Sequence, residues 1–283
     1  MDLFRPKGSL AVASDPVVLT PEGAGWTYSG LQVAHLAPGE TRLLDLGARE
    51  GAVIPLSGSA VIETGGGKLF ELAGRKSVFA AITDLCYLPR ETSFSITSRD
   101  GGEFALATAV AKERTGAFYR AASEVEVQVR GAGPATRQIN QLLGAGTAGP
   151  DNLIVVEVLT PEANWSSYPP HKHDESTADE VPLEEIYYFR IKGEGGFGLH
   201  RTYTADCEID ATVTVCDGDI FLVPRGFHGP CVAAPGYDMD YRNVMAGPGD
   251  ERAWRICTDP AHAWLWEAWE GAAPDPRVPM TGP

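Results

Sequence analysis

The chain has 283 residues, of which 43% are hydrophobic, enough for one large or two ordinary globular domains. Its 38 acidic and 23 basic residues give a formal charge of -15, which argues against nucleic acid or an anionic membrane surface as a partner. A small anionic substrate is compatible with this charge, because two arginines inside a pocket outweigh distant carboxylates.

Cysteine usage and the N-terminal residues indicate the compartment. The five cysteines form no C-x-x-C pair, and an odd number is typical of free thiols in a reducing environment. The first eight residues lack the apolar core of a signal peptide, and no apolar run is long enough to span a bilayer. We therefore expect a cytoplasmic protein.

Short apolar or alternating runs between turns predict an all-β protein. Residues 136–143 carry apolar side chains at helical spacing and are a predicted helix. The predicted strands that follow are residues 153–159, 185–191, 211–216 and 220–223. Residues 260–269 are predicted to contain a short helix. Because Gly and Pro separate these segments, we expect antiparallel β-sandwiches or jelly-roll barrels with short helices.

The two halves of the chain resemble each other. Residues 84–90 (DLCYLPR) match residues 219–225 (DIFLVPR) at an offset of 135. Glu50 and Glu185 share the same offset, and each precedes a glycine by eight positions. These matches at one offset predict an internal duplication.

A histidine pair and a later histidine indicate a metal site in the second half. Side chains alternate faces in an extended strand, so His171 and His173 point the same way and can share one ion. Glu185 and His228 complete a set of three imidazoles and one carboxylate, which suits a divalent transition metal and leaves positions open for substrate. Glu184 is the rival carboxylate on the opposite strand face. The repeat favours Glu185, because it aligns with a glutamate of the first half.

These histidines distinguish the two predicted copies. The first copy has apolar residues where the second has His171 and His173, and a serine where the second has His228. We therefore predict an N-terminal copy without metal ligands over residues 1–135 and a C-terminal catalytic copy over residues 136–283.

Four segments carry a resemblance to a known family. They are YPPHKHD from Tyr168, LEEIYYFR from Leu183, VPRGFH from Val223 and NVMAGP from Asn243. Together they resemble the cupin motifs and, more closely, the 5-deoxy-glucuronate isomerase family of myo-inositol catabolism. The eleven residues between His173 and Glu185, and the single Phe227 between Gly226 and His228, depart from usual cupin spacing in the manner of this family.

The resemblance implies a bicupin fold and an aldose-ketose isomerase. The implied reaction interconverts 5-deoxy-D-glucuronate and 5-dehydro-2-deoxy-D-gluconate through an enediolate that a metal stabilises. The family is related to the pectin-pathway uronate ketol-isomerase, which binds zinc in a similar site. Zinc is therefore the expected cofactor, and manganese or iron would satisfy the same ligands. The expected partner is a small anionic sugar acid; a homo-oligomer is compatible with the sequence.

The substrate carboxylate and the proton transfer call for further residues. Arginine suits a carboxylate, so Arg201 and Arg225 are expected to bind it, and Arg201 is preferred because Arg225 has a counterpart in the first copy. Tyr241, Asp174, Tyr188 and a metal-bound hydroxide are all candidates for the general base. Tyr241 lies on a strand that should line the cavity.

Four expectations concern the surroundings of the site. His200 stands where the family commonly has glutamine, and we expect it to hydrogen-bond rather than to bind metal. Lys172 should be solvated, and the acidic loop of residues 174–180 should form a lid or wall over the metal. The tryptophans near the C-terminus should pack against the outside of the sandwich or a partner subunit. They are Trp254, Trp264, Trp266 and Trp269.

Two other functions fit the same ligands. Three histidines and a glutamate also hold Fe(II) in cupin dioxygenases, and such an enzyme would consume oxygen. A cupin that binds a sugar acid without turnover is the other alternative. It would normally be joined to a DNA-binding helix-turn-helix, and the sequence shows no basic helical segment.

Overall fold

Strands make up most of the regular secondary structure in the computed structural model, which describes residues 2–282. In the first half they are β1 (Phe4–Arg5), β2 (Val17–Leu19), β3 (Ser29–Leu36), β4 (Thr41–Asp45), β5 (Arg49–Thr64), β6 (Leu69–Arg75), β7 (Leu85–Leu88), β8 (Ser93–Thr97), β9 (Gly102–Val110), β10 (Phe118–Arg120) and β11 (Glu126–Arg130). A short helix α1 (Pro21–Ala24) precedes β3, and a 3-10 turn spans Ala122–Glu124. The expectation of an all-β protein is confirmed.

The second half repeats this pattern of short strands. They are β12 (Arg137–Leu143), β13 (Ile154–Thr160), β14 (Trp165–Ser166), β15 (His171–Lys172), β16 (Glu184–Ile191), β17 (Phe197–Tyr203), β18 (Asp210–Cys216), β19 (Ile220–Val223), β20 (Phe227–Ala233), β21 (Met239–Ala246) and β22 (Cys257–Thr258). Helix α2 (Trp264–Ala268) follows β22 and lies within the segment predicted to be helical. The four predicted strands are confirmed to within one residue at each end.

Two large sheets have the same strand order. The first half contains β10-β7-β5-β9-β3-β2, with β4, β6 and β8 attached through β5, and the second contains β1-β19-β16-β21-β13-β12-β11. A six-stranded sheet, β18-β17-β20-β15-β22 with β14 on β20, faces the latter. The equal strand order is what a duplication predicts. Strands β1 and β11 belong by sequence to the first half but join the sheet of the second; the division at residue 135 stays a prediction.

Three hydrophobic clusters hold these sheets together. One fills the sandwich of the first half and another that of the second half. The third lies between the halves, where β3 and β5 of one large sheet face β13 and β16 of the other. In β16, alternation sends Glu185 and Tyr187 into the second sandwich and Ile186 and Tyr188 into the contact between the halves. Because both faces of this sheet are covered, its strands are apolar on both sides.

The predicted helix over residues 136–143 is wrong. This segment forms β12, which is buried throughout and pairs with β11 and β13. A bulge between Asn140 and Leu143 changes the alternation, so Leu142 and Leu143 both pack into the contact between the halves while Ile139 faces the second sandwich. That bulge makes an i, i+3, i+4 apolar pattern compatible with a strand.

Two glutamates join the halves reciprocally. Glu184 accepts hydrogen bonds at 2.8–2.9 Å from three successive backbone N–H groups, residues 27–29, at the start of β3. Glu50 does the same at 2.6–2.8 Å for residues 151–153, just before β13. Each carboxylate thus receives charge-assisted hydrogen bonds from the opposite half.

The strand pairing corrects the alignment of Glu50 with Glu185 in the internal repeat. Glu185 pairs across the sheet with Val223, and the matching partner of Leu88 is Gly51. The counterpart of Glu50 is therefore Glu184, and the repeat gave no support to Glu185.

A buried ion cluster also joins the halves. Arg75 of the first half contacts Glu157 of the second through two hydrogen bonds, of 2.6 and 3.0 Å. Arg242 contacts the same carboxylate and also Asp240 at 3.2 Å. All four side chains are fully buried, so each charge depends on its partners.

None of the helices in residues 2–282 combines the length and apolar character needed to cross a membrane.

Candidate metal centre

Both sheets of the second sandwich contribute to one polar cluster. His171 on β15 and His228 on β20 are Cα partners in the six-stranded sheet, and their ring centroids lie 4.5 Å apart. His173 follows β15, with its ring centroid 4.7 Å from that of His228. Glu185 approaches from β16 of the opposite sheet. The histidine pair of the sequence motif and the later histidine therefore lie close together, and their role as metal ligands stays a prediction.

Backbone carbonyls set the orientation of all three imidazole rings. Each Nδ1 lies within hydrogen-bond distance of a backbone oxygen: His171 of Pro169 (3.3 Å), His173 of Leu183 (3.1 Å) and His228 of Gly226 (3.1 Å). An Nδ1 that donates to a carbonyl carries the proton, which leaves the lone pair on Nε2. This is how proteins orient histidine ligands toward a metal.

The Glu185 carboxylate lies among these Nε2 atoms. Its Oε2 is 2.8 Å from Nε2 of His173 and 3.0 Å from Nε2 of His228. The second contact lacks hydrogen-bond geometry, so the buried Nε2 of His228 has no hydrogen-bond partner within residues 2–282. One ligand atom from each of these three residues fits within 4.8 Å of the others. Two nitrogen donors, one of them unpaired, and a carboxylate oxygen at this spacing fit a divalent transition metal.

The charge states of Glu185 and His171 suit a metal. Burial opposes protonation of His173, but its hydrogen bond to Glu185 outweighs burial and raises the pKa of His173. Burial disfavours the Glu185 carboxylate, but His228 and His173 outweigh it and hold the pKa of Glu185 below its ordinary value. Burial, followed by repulsion from His228 and His173, lowers the pKa of His171 well below its ordinary value. An ionised carboxylate and a neutral imidazole are the forms that coordinate metals.

A narrow cavity opens from these residues. His171 and Glu185 line it on the metal side, and the inner face of the seven-stranded sheet supplies most of its other wall. Trp254 and Trp266 also line it, so the expectation that these two pack on the outside was wrong.

Two buried tyrosines lie on the sheet face beside Glu185. Tyr241 lines the cavity, as its strand position predicted, and its ring centroid is 5.1 Å from that of Tyr187. The Tyr187 hydroxyl is 3.1 Å from the Ser167 hydroxyl. Burial raises the pKa of Tyr241 well above its ordinary value, so it is a protonated hydrogen-bond donor at neutral pH. Sequence reasoning missed Tyr187, although its position two residues after Glu185 places it on the same strand face.

Arg201 and Arg225 lie elsewhere. Arg201 is on the outward face of β17, where its guanidinium covers the Tyr203 ring at 4.2 Å. Arg225 contacts Asp206 and Glu208, and both arginine side chains are more than 40% exposed. Their role in binding substrate stays a prediction, and this placement does not favour it.

Two other arginines line the cavity instead. Arg130 on β11 and Arg137 on β12 share the wall with Tyr241. The sequence pattern does not identify them, because it predicts a helix over residues 136–143. A strand at this position, paired with β11, places Arg130 and Arg137 on the same face of the sheet.

The remaining base candidates point away from the cavity. Tyr188 packs in the hydrophobic cluster between the halves, on the strand face opposite Glu185. Asp174 accepts hydrogen bonds from Lys172 Nζ at 2.6 Å and from the Gly226 N–H at 2.7 Å. Both side chains thus have structural contacts.

The acidic loop of residues 174–180 does not line this cavity, and its role as a lid or wall over the metal stays a prediction. Lys172 is only 15% exposed rather than solvated, and its ammonium contacts Asp174 and Glu180. Glu180 also accepts the backbone N–H groups of residues 174 and 175. The loop therefore folds around Lys172.

His200 has the hydrogen-bonding role expected of it. Its Nδ1 lies 3.1 Å from Cys231 Sγ and its Nε2 lies 3.0 Å from Thr202 Oγ1, so both ring nitrogens have partners. Burial lowers its pKa to about 3, which keeps the ring neutral. It lies behind Tyr187, with ring centroids 4.8 Å apart.

Comparison with solved structures supports the fold. An IolB-like protein from Salmonella typhimurium LT2 is 33% identical and superposes with a TM-score of 0.88, covering 94% of this chain and 99% of the other. Oxalate decarboxylase from Bacillus subtilis, a bicupin whose Mn(II) centres have been studied, is 12% identical with a TM-score of 0.63, covering 91% of this chain and 79% of the other. This second likeness shows the bicupin fold alone.

Sequence comparison extends over nearly the whole chain. A protein named 5-deoxy-glucuronate isomerase from Geobacillus kaustophilus is 39% identical over 268 residues, which cover 94% of this chain and 96% of that protein. A family model described as KduI/IolB family matches residues 5–265. The chain therefore belongs to the KduI/IolB family.

Proposed function

We propose that the chain is a metal-dependent aldose-ketose isomerase that converts 5-deoxy-D-glucuronate to 5-dehydro-2-deoxy-D-gluconate. The observation that carries this proposal is the set of three imidazoles, each with Nδ1 bonded to a carbonyl, around the Glu185 carboxylate at a cavity lined by donors. The name of the relatives from Geobacillus and Bacillus supplies the substrate.

His173, Glu185 and His228 would hold the metal, with His171 beside them as the fourth ligand. When bound, the ion would supply a Lewis acid that stabilises negative charge on the substrate oxygens. Three imidazoles and one carboxylate suit zinc, which we propose as the metal; manganese and iron accept the same donors. The five free thiols fit a reducing compartment, and we propose the cytoplasm.

The reaction moves a hydrogen from the hydroxyl-bearing carbon onto the neighbouring aldehyde carbon, and the hydroxyl proton onto the aldehyde oxygen, so atoms and electrons balance without an acceptor. Negative charge develops on the two adjacent oxygens as the C–H proton leaves. Tyr241, protonated and buried in the cavity wall, is placed to donate a hydrogen bond to that charge.

Tyr241→Phe tests this role. We expect kcat to fall on the order of 100-fold, because one donor to the developing charge is lost while the ring still fills its place. The measurement is kcat by an NMR time course of substrate conversion. Tyr119→Phe is the control, since this hydroxyl contacts Asp84 in the first half. Equal rates for Tyr241→Phe and wild type would remove Tyr241 from the mechanism.

An NMR assay with the metal-loaded protein and 5-deoxy-D-glucuronate tests the function itself. We expect the aldehyde signal to be replaced by those of the ketose, with no oxygen consumed. Oxygen uptake by the iron-loaded protein without ketose formation would indicate the dioxygenase instead. Saturable binding of the sugar acid without conversion would indicate a binding protein.

A further inference from the structure

Two arginines face each other across neighbouring strands in the cavity wall. Arg130 and Arg137 are direct Cα partners in the antiparallel pair β11–β12. Like charges directly opposite each other on adjacent strands destabilise a sheet. Such a pair is expected where an anion lies between or above the two guanidinium groups.

The buried member of the pair has no counter-charge in the protein. Arg137 is 4% exposed, and its one hydrogen bond joins Nη1 to the Ala135 carbonyl at 3.2 Å. Across residues 2–282, no carboxylate oxygen lies within 4.0 Å of either guanidinium of the pair. Burial lowers the pKa of Arg137 to about 10. The other two buried arginines, Arg75 and Arg242, both contact Glu157.

Other donors in the same cavity also lack partners. The amide Nδ2 of Asn243 and the indole Nε1 of Trp254 are buried and have no hydrogen-bond partner within the described part of the chain. The Arg130 guanidinium lies over the Trp254 ring, 5.9 Å from its centroid. Buried donors without acceptors are uncommon, so this wall fits a ligand rich in acceptor oxygens.

The donors and the metal ligands lie on one curved sheet. Strand β12, with Arg137, is three strand intervals from β16, with Glu185, which corresponds to about 14 Å along the sheet. Arg137 and Glu185 nevertheless line the same cavity. A sugar acid whose aldehyde and carboxylate lie at opposite ends of its carbon chain fits this arrangement.

We propose that Arg137, assisted by Arg130, binds the carboxylate of the sugar acid and so directs its carbonyl end toward Glu185 and the histidines. This inference rests on the proposed isomerase function and names the residues that select an acid over a neutral sugar. Asn243 and Trp254 donate hydrogen bonds to the substrate oxygens that lie between its carbonyl end and its carboxylate end.

The test compares 5-deoxy-D-glucuronate with its neutral amide, 5-deoxy-D-glucuronamide, in wild type, Arg137→Gln and Arg130→Gln. For the acid, kcat/KM should fall about 100-fold in Arg137→Gln and about tenfold in Arg130→Gln. For the amide it should change less than about threefold. Arg137→Lys, which keeps the charge but not the two-pronged geometry, should be intermediate. Arg99→Gln, at an exposed arginine of the first half, is the control.

Two readouts separate this role from a structural one. Removing an unpaired buried cation should leave the thermal midpoint unchanged or raise it, whereas loss of a structural contact would lower it. Equal losses for acid and amide, or no loss for the acid, would overturn the inference.

A binding measurement keeps the inference testable if wild type converts neither compound. Calorimetry with the reduced acid, in which a primary alcohol replaces the aldehyde, should show binding to wild type and at least tenfold weaker binding to Arg137→Gln. Failure of wild type to convert either compound would reject the isomerase, while weaker binding to Arg137→Gln would still support the carboxylate site. Equal affinities of wild type and Arg137→Gln would reject the carboxylate site.

Discussion

Glu185→Gln should abolish metal binding and lower kcat at least on the order of 1000-fold, whereas Glu184→Gln should retain both. The two glutamates are adjacent on β16 and face opposite sides of the sheet. Glu185 lies 2.8 and 3.0 Å from the Nε2 atoms of His173 and His228, so its charge is needed at the centre. Loss of a Lewis acid removes several kcal/mol of transition-state stabilisation.

Glu184→Gln is the matched control because it changes the same charge one residue away. Glu184 receives three backbone N–H groups from the first half, and the amide replaces one acceptor by a donor. We therefore expect a lower denaturation midpoint with an unchanged metal content, measured by elemental analysis. Loss of metal from Glu184→Gln, or full metal content in Glu185→Gln, would contradict the assignment.

Glu157→Gln should destabilise the protein by about 3–5 kcal/mol, the largest effect expected on stability. This carboxylate is fully buried between Arg75 and Arg242, and its loss leaves Arg75 without a carboxylate partner and Arg242 with Asp240 alone. The urea midpoint at pH 7 is the measurement. Asp250→Asn is the control, because the Asp250–Lys112 pair is exposed and should not change the midpoint. A midpoint equal to wild type for Glu157→Gln would show that the cluster does not join the halves.

The same cluster gives a direction for acid denaturation. Burial raises the pKa of Glu157, but Arg75 and Arg242 outweigh it and lower the pKa to about 2, against 4.5 ordinarily. A depressed carboxyl pKa contributes stability above pH 4.5 that is lost as the pH falls toward 2. Wild type should therefore lose stability over this range more steeply than Glu157→Gln.

The ligand candidates could be predicted from sequence because they depend on local rules. Alternation along a strand places His171 and His173 on one side. Strand β20 pairs with β15 and so brings His228 beside His171. The choice of Glu185 over Glu184 agrees with the geometry, but the reason first given for it was wrong. Gly51 aligns with Glu185 at an offset of 134, whereas Leu88 aligns with Val223 at an offset of 135, so a single offset cannot align both strand pairs.

The other wall of the cavity could not be predicted because it depends on distant pairing. Arg130 and Arg137 precede the histidine motif, and only the order of strands in the sheet brings them to the site. Arg201 is closer in sequence to Glu185 but lies on an outward strand face. Trp254 lies in irregular backbone and Trp266 in the short helix α2. The composition of these two segments does not predict that their side chains line the cavity.

Removal and return of the metal, followed on one sample by elemental analysis and by NMR conversion of 5-deoxy-D-glucuronate, tests metal-dependent isomerisation most directly. We expect chelated wild type to be inactive, and activity to return in proportion to added ion with a maximum at one ion per chain. Full conversion by protein shown to contain no metal would contradict it.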